Sequence, residues 1–566
     1  MKPTFLTAAP VGAVLLAAVL CQTPSAAAQG AHQHEHGPAA DVGRVNFRVS
    51  CSPRAQALFN RAVAWLHSFE YEEAAKAFDE VAAADPRCGM GHWGVAMSHY
   101  HPIWAPPGAE ELKRGREAVE RAKSAGARTR RERDYIAAIE VFYKDSDRLD
   151  HRARALAYGE AMGRLHRRYP SDREAAVFYA LTLIAKGMMA GDKSYASEKA
   201  AARILNRVLA REPRHPGVTH YLIHSYDYPA LARLALPAAR SYARIAPASA
   251  HAQHMPSHIF TRLGLWPEVI SSNLDAKASA EAHAVRNRMP GAWDEQLHAM
   301  DYLAYAYLQS AQDGRARGVL AELERIKRVD PPNFKVAYAF TAIPARVALE
   351  RRQWAEAAAL PFPPGAMETF PWQRFGWAEA HIRLARAVGA ARGGDAAAAR
   401  REVERLAAIR QTLSEVKGDY DWAKQVEIKR RVASGWLAHA EGRGEEALGL
   451  MRAAAELDDA TDKHPVTPGS VLPAREQLGE LLLELRRPAE ALREFETSLR
   501  RAPNRFNGIY GAARAARLAA DRKTAQAYYA RLVALGRQAD GVRPEIEEAK
   551  AFLWGASAVN DSASKQ

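Results

Sequence analysis

The stretch Glu72–Pro86, EEAAKAFDEVAAADP, contains a pattern that returns at 200–213 (AAARILNRVLAREP) and at 489–503 (AEALREFETSLRRAP). The pattern is a small residue, a large residue, a small or apolar residue and a proline at offsets of 4, 7 and 12; in the first copy these are Ala74, Phe78, Val81 and Pro86. Offsets of 4 and 7 fall on one face of an α-helix, and a proline beyond the last turn ends it. The pattern therefore predicts a recurring amphipathic helix.

The copies follow a constant period. Residues in equivalent positions lie 34 apart, as in Ala201, Ala235 and Val269, and again in Ala491 and Ala525. Ahead of the last copies stands a Leu-Gly pair, Leu478 and Gly479. The period and the residue order resemble the tetratricopeptide repeat family, whose unit is a helical hairpin. The resemblance covers about residues 55 to 545, with degenerate units between the clear ones.

The resemblance implies an all-α fold, a right-handed α-solenoid in which tetratricopeptide-like hairpins stack around one continuous core. Proline-rich stretches at 101–110, 360–372 and 462–476 interrupt the repeats, and we expect them to be loop insertions that can cover the groove. We expect an N-terminal array at 51–360, a C-terminal array at 361–550 and a disordered tail at 551–566.

The N-terminus resembles a cleavable secretory leader. Lys2 precedes the apolar stretch FLTAAPVGAVLLAAVL, which is followed by the small-residue stretch TPSAAAQG. These features predict a signal peptide at 1–28 with cleavage near Ala28, and so a periplasmic or secreted protein. The apolar stretch is too short to span a bilayer comfortably, and no later segment has the composition of a membrane span.

Cys51 and Cys88 are the cysteines that would remain after cleavage, and they bracket the first hairpin. In an exported protein they predict a disulfide, with two unpaired buried thiols as the alternative. The segment 29–50 is expected to be flexible. Its histidines would bind copper, zinc or nickel weakly or belong to a simple polar linker; they are His32, His34 and His36.

Composition and charge exclude some function classes. The 566 residues are 48% hydrophobic and 25% charged, which is typical of a folded protein. The net charge of +14 comes from basic residues interspersed with acidic ones, without a nucleic-acid recognition motif, so we expect no nucleic-acid partner. The sequence contains no Gly-rich phosphate loop, Gly-x-Ser-x-Gly elbow or Cys-x-x-Cys pair, and no signature that decides whether the protein is an enzyme.

A group of histidines lies between residues 220 and 258. Its members are His220, His224, His251, His254 and His258. Counted within the repeat, the pairs His220/His224 and His254/His258 occupy positions 5 and 9 of two consecutive first helices, and the resemblance implies that these positions line the concave groove. Side chains four residues apart on a helix lie about 6 Å from each other, which suits a shared metal ion. Neighbouring packed helices lie about 8–10 Å apart, so the second pair could complete the shell of the same ion. Imidazole ligands favour zinc or copper over magnesium or calcium.

Further residues would complete this site, and two alternatives stay open. Asp227 could ligate a metal or orient an imidazole, and His298 and Asp301 lie on a similar face of the next first helix. If a helix begins at Pro256, His254 lies outside it and the i, i+4 geometry of that pair fails. The alternatives to a metal site are a metal-free polar ligand pocket and histidines with a purely structural role.

The proline-rich stretch before the last repeats concentrates polar residues. The candidates there are Lys463, His464, Arg475, Glu476 and Arg505. Three cations, Lys463, Arg475 and Arg505, could clamp a carboxylate or phosphate. An ion-pair network that closes the array is the alternative.

Two functions follow from these observations. The first is an exported repeat protein that binds a protein partner, a peptide or a small polar or anionic ligand in a histidine-rich groove. The alternative is a metalloprotein that uses the same histidines, either as a zinc or copper carrier or as a metal-dependent hydrolase or oxidoreductase.

Overall fold

The computed structural model describes residues 41–563, except 364–366, 368, 417 and 419, with side chains described up to Trp554. The predicted leader at 1–28 lies outside the described residues, as do His32, His34 and His36.

α-Helices form nearly all of the regular structure in the described part of the chain. Its first half contains α1 (Pro53–His67), α2 (Tyr71–Ala84), α3 (Gly89–Ser98), α4 (Ala109–Ala125), α5 (Arg130–Tyr143), α6 (His151–Arg168), α7 (Arg173–Ala190), α8 (Ala196–Leu209), α9 (Pro216–Tyr226), α10 (Leu236–Ile245), α11 (Ala250–His254), α12 (Pro256–Leu263) and α13 (Trp266–Arg286). A short 3₁₀ helix, Ala232–Ala235, precedes α10.

The second half continues in the same way. It contains α14 (Asp294–Gln309), α15 (Asp313–Arg325), α16 (Phe334–Glu350), α17 (Trp354–Ala359), α18 (Glu379–Arg392), α19 (Ala396–Ser414), α20 (Trp422–Ala440), α21 (Gly444–Ala460), α22 (Ala474–Glu484), α23 (Pro488–Arg501), α24 (Phe506–Leu518), α25 (Arg522–Leu535) and α26 (Pro544–Ala563). Two 3₁₀ helices lie at Trp372–Phe375 and Gly536–Gln538. Two short strands, β1 (Ala292–Trp293) and β2 (Val329–Asp330), pair in parallel.

The helices stack as a solenoid. Each helix packs against the next along the chain from α1 to α26, and in the C-terminal half the alternate helices α14, α16, α18, α20, α22 and α24 also contact one another. This second set of contacts forms an inner wall of first helices, with the second helices outside. The predicted fold class, an all-α, right-handed solenoid of tetratricopeptide-like hairpins with proline-rich loop insertions, is confirmed.

The repeat position that revealed the period is at the centre of the packing. Its occupants are fully buried, including Ala74, Ala201, Ala235, Val269, Ala316, Ala399, Ala447, Ala491 and Ala525. The Leu-Gly pair has an equally direct role, because a Cβ added to Gly479 would lie 2.8 Å from the ring of Phe495. Only glycine allows α22 to approach α23 this closely.

The last repeats contact the middle of the array. The indole nitrogen of Trp266 donates a hydrogen bond to the carbonyl of Asn504 at 2.8 Å, and the backbone N–H of Phe506 donates to Gln309 at 2.9 Å. The backbone N–H of Gly314 donates to Asp540 at 3.0 Å. The superhelix therefore closes on itself between residues 264–315 and 504–543.

Cys51 and Cys88 form a disulfide, with Cα atoms 5.1 Å apart. It joins the start of α1 to the start of α3 and closes the first hairpin, which decides between the two alternatives left open for these cysteines.

Residues 41–50 differ from the prediction of a flexible segment at 29–50. Val42 and Phe47 are buried, and the N–H of Arg44 donates to the carbonyl of Arg214 at 3.0 Å. The ring of Phe47 packs against Trp93 at 5.7 Å, which anchors this stretch on the array. The physical reason is the burial of these apolar side chains.

The C-terminal segment also differs from its prediction. Residues 551–563 lie in α26, although a disordered tail was expected at 551–566. The ring of Phe552 packs against Tyr529 at 4.9 Å and so holds α26 on α25. None of the described helices combines the length and the apolar composition needed to cross a bilayer.

Candidate metal centre

The helix α9 presents His220 and His224 on one face. It begins after His215, whose side chain accepts the N–H of Val218 at 3.2 Å as an N-cap, and Pro216 occupies the first turn. Both histidines are buried, with 0% and 5% of their surface exposed. The cap and Pro216 fix where α9 begins, and the four-residue spacing places both imidazoles on its buried face.

The second pair lies on α11 and α12, on either side of Pro256. Pro256 does begin α12, but Met255 before it has φ −54° and ψ −34°, so the α-helical path continues through the junction. The Nε2 atoms of His254 and His258 are 3.1 Å apart. The expected loss of the i, i+4 geometry does not occur, because the helical backbone angles at Met255 keep both imidazoles on the same side of the chain.

Cluster A consists of His220, His224 and His251. The Nε2 atom of His220 lies 3.0 Å from that of His224 and 3.2 Å from that of His251. On the opposite side of its ring, Nδ1 of His220 donates to the carbonyl of His67 at 2.7 Å. A neutral imidazole carries one N–H, which is at Nδ1 of His220. Its Nε2 is therefore unprotonated, and the lone pair of this nitrogen faces the other two rings.

Cluster B consists of His254, His258 and His298, whose nearest ring nitrogens all lie within 4.8 Å of one another. The Nδ1 of His254 contacts the side-chain oxygen of Asn273 at 2.7 Å. The Nδ1 of His258 contacts a carboxylate oxygen of Asp227 at 3.1 Å. The rings of His251 and His254 are 6.5 Å apart, so clusters A and B are neighbours.

The hydrogen bonds of cluster B determine where its protons lie. Asn273 donates its amide hydrogen to the carbonyl of Val269 at 2.8 Å, so its side-chain oxygen faces His254 and accepts from Nδ1. Asp227 likewise accepts from Nδ1 of His258. A neutral imidazole carries one N–H, so both Nε2 atoms are bare lone pairs at 3.1 Å. Two such lone pairs repel each other unless a cation lies between them.

A transition-metal ion fits this geometry. Two imidazole nitrogens that each lie 2.0–2.1 Å from one ion at an angle near 100° are about 3.2 Å apart. The observed separations of 3.0, 3.1 and 3.2 Å match that value. Both clusters contain three imidazoles, so each leaves a coordination position for water or a further ligand.

A third buried group, His67, Glu174 and His215, has the composition of a metal site but a different hydrogen-bond pattern. Glu174 contacts Nε2 of both His67 and His215 at 2.9 Å. The other nitrogen of His67 contacts the hydroxyl of Tyr221 at 2.9 Å, and that of His215 accepts the N–H of Val218. Every ring nitrogen is thus used within the fold, and this group supports α9 without a metal.

Burial keeps the histidines of clusters A and B neutral. Desolvation lowers the pKa of His220 to about 3 and lowers the pKa of His224, His251, His254 and His298 well below 6.5. The pKa of His258 is also lowered by burial, although its hydrogen bond to Asp227 opposes the shift. Metal binding requires neutral imidazole, so these side chains need not release a proton near neutral pH.

Asp227 links cluster B to the C-terminal half of the chain. Besides His258, it accepts a hydrogen bond from Arg262 at 2.8 Å and contacts the ammonium of Lys463 at 3.4 Å. Although burial opposes ionisation, the charges of Lys463 and Arg262 hold the pKa of Asp227 well below its usual range. Burial lowers the pKa of Lys463 to about 8. Asp227 is therefore an orienting group for His258 rather than a fourth ligand.

The loop 461–473 that carries Lys463 crosses the concave face. Tyr302 donates to the carbonyl of Val466 at 3.1 Å, and Tyr338 donates to that of Gly469 at 3.2 Å. These tyrosines lie on α14 and α16, in the inner wall. The loop thus covers part of the groove, as expected for a proline-rich insertion, and a peptide on this face would have to displace it.

A cavity of about 300 Å³ lies beside cluster A. His224, Asp227, Lys463 and His464 are among the residues that line it. Trp104, which also lines it, packs 5.4 Å from the ring of His224. Cluster A therefore faces a space that a small molecule can enter.

The remaining predicted residues lie outside both clusters. Asp301 forms a buried ion pair with Arg346 and does not face cluster B. Arg475 pairs with Asp459 and Glu494, so its charge is balanced within the protein. Glu476, also in the predicted set, pairs with Arg505.

Arg505 is fully buried between Glu350 at 2.5 Å and Glu476 at 2.6 Å. Together with Lys463 and Arg475, it borders a small cavity of about 110 Å³. Each of these three cations already contacts a carboxylate, so the contacts support the ion-pair network and not an anion clamp.

Sequence reasoning missed the groups that orient the imidazoles. The carbonyl of His67 and the side chain of Asn273 lie 153 and 19 residues from the histidines they contact. Asn273 carried one weak signal, a polar residue on the otherwise apolar face of α13. His67 carried no signal, because the contact is made by its backbone carbonyl, which every residue type has.

No protein-family model matches the chain, and no curated protein matches it. Among solved structures, the human IFIT1 dimer with m7Gppp-AAAA is similar at 11% identity and a TM-score of 0.36, over 79% of this chain and 90% of that chain. Yeast Tom70 is similar at 11% identity and a TM-score of 0.32, over 90% of this chain and 96% of that chain. Similarities at these values carry no information on ligands or partners.

Proposed function

We propose that this protein is a metalloprotein that binds two transition-metal ions, one in cluster A and one in cluster B. The observation that carries the proposal is the pair of facing Nε2 lone pairs of His254 and His258 at 3.1 Å. In cluster A, the Nε2 lone pair of His220 likewise faces Nε2 of His224, at 3.0 Å. Zinc and copper are the ions of choice, because all six ligands are imidazoles and no ligand oxygen suited to magnesium or calcium is present among them.

The arrangement favours a catalytic centre over a carrier. A catalytic metal keeps three protein ligands and an open position, whereas a structural site is closed by four. His224 of cluster A lines a cavity of about 300 Å³, so the open position at that ion faces a space for substrate. A carrier would need its ligands near the surface, but all six histidines are at most 5% exposed.

An exported location belongs to the same proposal. Its support is the disulfide between Cys51 and Cys88, since such bonds persist in oxidising compartments. Binding of a protein partner remains a prediction of the repeat fold, and the predicted exclusion of nucleic acid remains a prediction as well.

Metal analysis tests the proposal. Protein stripped with a chelator, reloaded with zinc or copper and desalted should contain two ions per chain by elemental analysis. His224→Ala should leave one ion, in cluster B, and His258→Ala should leave one, in cluster A. His381→Gln is the matched control, because it alters a buried histidine on α18 that contacts Thr341 and belongs to neither cluster, and it should keep both ions. Metal-free wild-type protein after reloading, or two ions in both alanine variants, would refute the proposal.

Asp227→Asn tests the orienting role of Asp227. An amide that replaces the carboxylate weakens the hydrogen bond to Nδ1 of His258, and changes of this kind lower metal affinity by about 10- to 100-fold. Competition with a fluorescent zinc chelator should show the loss at one of the two sites and leave the other unchanged. Equal weakening of both sites, or of neither, would contradict an orienting role specific to cluster B.

A further inference from the structure

The cavity beside cluster A has a chemical character of its own. Aromatic side chains form much of its wall: Trp104, Phe334, Tyr420 and Trp422. Its volume of about 300 Å³ is about twice the 150 Å³ of a cavity that holds one benzene molecule. The space therefore suits one planar molecule of one or two fused rings.

Two residues in this wall, His151 and Glu198, each have a buried polar atom without a hydrogen-bond partner among the described residues. Glu198, which lines the cavity, is 2% exposed, and its Oε2 has no hydrogen-bond partner among the described residues. Its other oxygen, Oε1, accepts from the hydroxyl of Tyr228 at 3.2 Å. A buried carboxyl oxygen without a partner costs free energy that a ligand group can recover.

The fold makes room for this carboxyl group. A Cβ added to Gly187 would lie 2.2 Å from Oε1 of Glu198, so glycine on α7 is required for the observed side-chain position. Glu198 stands in the first turn of α8, where it meets the cavity wall. Its position is therefore held by two helices.

We propose that the cavity binds a phenol, a planar aromatic molecule of one or two rings whose hydroxyl contacts Glu198 and whose ring lies between the aromatic walls. This inference deepens the proposed function, on which it rests for the meaning of the open position beside His224. It names phenols as the class of substrate for the metal ion in cluster A.

The chemistry of the wall selects this class over others. Burial raises the pKa of Glu198, so both protonation states of its carboxyl matter. A hydroxyl can both donate and accept a hydrogen bond, so it satisfies Oε2 in either state. Aromatic rings pack best against other rings in offset or edge-to-face contacts. An aromatic carboxylate is disfavoured, because its charge would lie beside Glu198.

Calorimetric titration with three matched probes tests the inference. They are β-naphthol, β-methylnaphthalene, which replaces the hydroxyl by a methyl group, and decahydro-β-naphthol, which keeps the hydroxyl but has no aromatic ring. We expect β-naphthol to bind about tenfold more tightly than either of the others, since each lacks one of the two contacts. Equal affinity for β-naphthol and β-methylnaphthalene, or no binding of β-naphthol, would overturn the inference.

Two variants locate the contact. Glu198→Leu removes the acceptor with little change in volume and should lower the affinity for β-naphthol about tenfold, to that of β-methylnaphthalene. Gly187→Ala keeps the carboxyl but displaces it, and should have the same effect, which settles the question if the leucine variant does not fold. Unchanged affinity in a folded variant would overturn the proposed contact.

Metal content measured on the same samples separates the two proposals. Two ions per chain without naphthol binding would remove only the phenol site. Naphthol binding that depends on Glu198 in a protein that takes up no metal would keep the phenol site and remove the proposed function.

Discussion

Loading both clusters with zinc should raise the free energy of unfolding by about 8 kcal/mol when free zinc exceeds each dissociation constant a thousandfold, or about 4 kcal/mol for each site. The gain arises because the ligands come together only in the folded chain. They lie on α9, α11, α12 and α14, spread from His220 to His298. An unfolded chain cannot hold these histidines in the same geometry.

Urea denaturation with and without zinc measures this gain. His224→Ala should retain about half of the stabilisation, since one site remains. Magnesium at the same concentration should give none, because it prefers oxygen ligands. A gain that persists in a variant lacking both His224 and His258 would show that zinc binds elsewhere.

Arg505→Met should lower the free energy of unfolding by about 3–5 kcal/mol. The substitution leaves Glu350 and Glu476 buried and without their cation, which lies 2.5 and 2.6 Å away in the intact protein. It also removes the hydrogen bond that Arg505 donates to Tyr305 at 2.8 Å. The loss comes mainly from two uncompensated carboxylates in the core.

Two further variants identify the cause. Arg505→Met combined with Glu350→Gln and Glu476→Gln removes the charges together and should recover most of the loss. Arg400→Met breaks an ion pair with Glu441 at an exposed arginine, and should cost less than about 1 kcal/mol. If Arg505→Met cost as little as Arg400→Met, the buried network would have no special role.

The fold was predictable from sequence because the repeat leaves the same trace many times. Ala201, Ala235 and Val269 lie 34 residues apart and are all fully buried. The same packing requirement therefore selects a small or apolar residue at three equivalent positions. Each copy reinforces the others. A prediction of this kind depends on spacing along the chain and not on any single contact.

The candidate site was predictable only in part. Helical spacing brought His220 next to His224 and His254 next to His258, since both pairs depend on local geometry. The sequence suggested one shared shell for these four, whereas the structure divides them between cluster A and cluster B. The division depends on how far one hairpin rotates against the next, and spacing within a helix does not reveal that rotation.

The third members of the clusters show the same limit. His251 lies on α11 beside α9, and His298 lies on α14 beside α12, so each joins its cluster across a helix interface. Asp301 was expected on the same face as His298, but it turns toward Arg346 on α16. Residues three apart on a helix differ in direction by a rotation large enough to select different neighbours.

The closure of the superhelix changes how the whole molecule should respond to stress. An open repeat array can fray from its ends, because a terminal unit has a neighbour on one side only. Here the C-terminal units are fastened to the middle of the array through Trp266 and Asn504 and through Gly314 and Asp540. Loss of the C-terminal end would therefore expose two surfaces at once. The protein should melt in a single step, and a ligand held near its centre should protect residues near its C-terminal end from proteolysis.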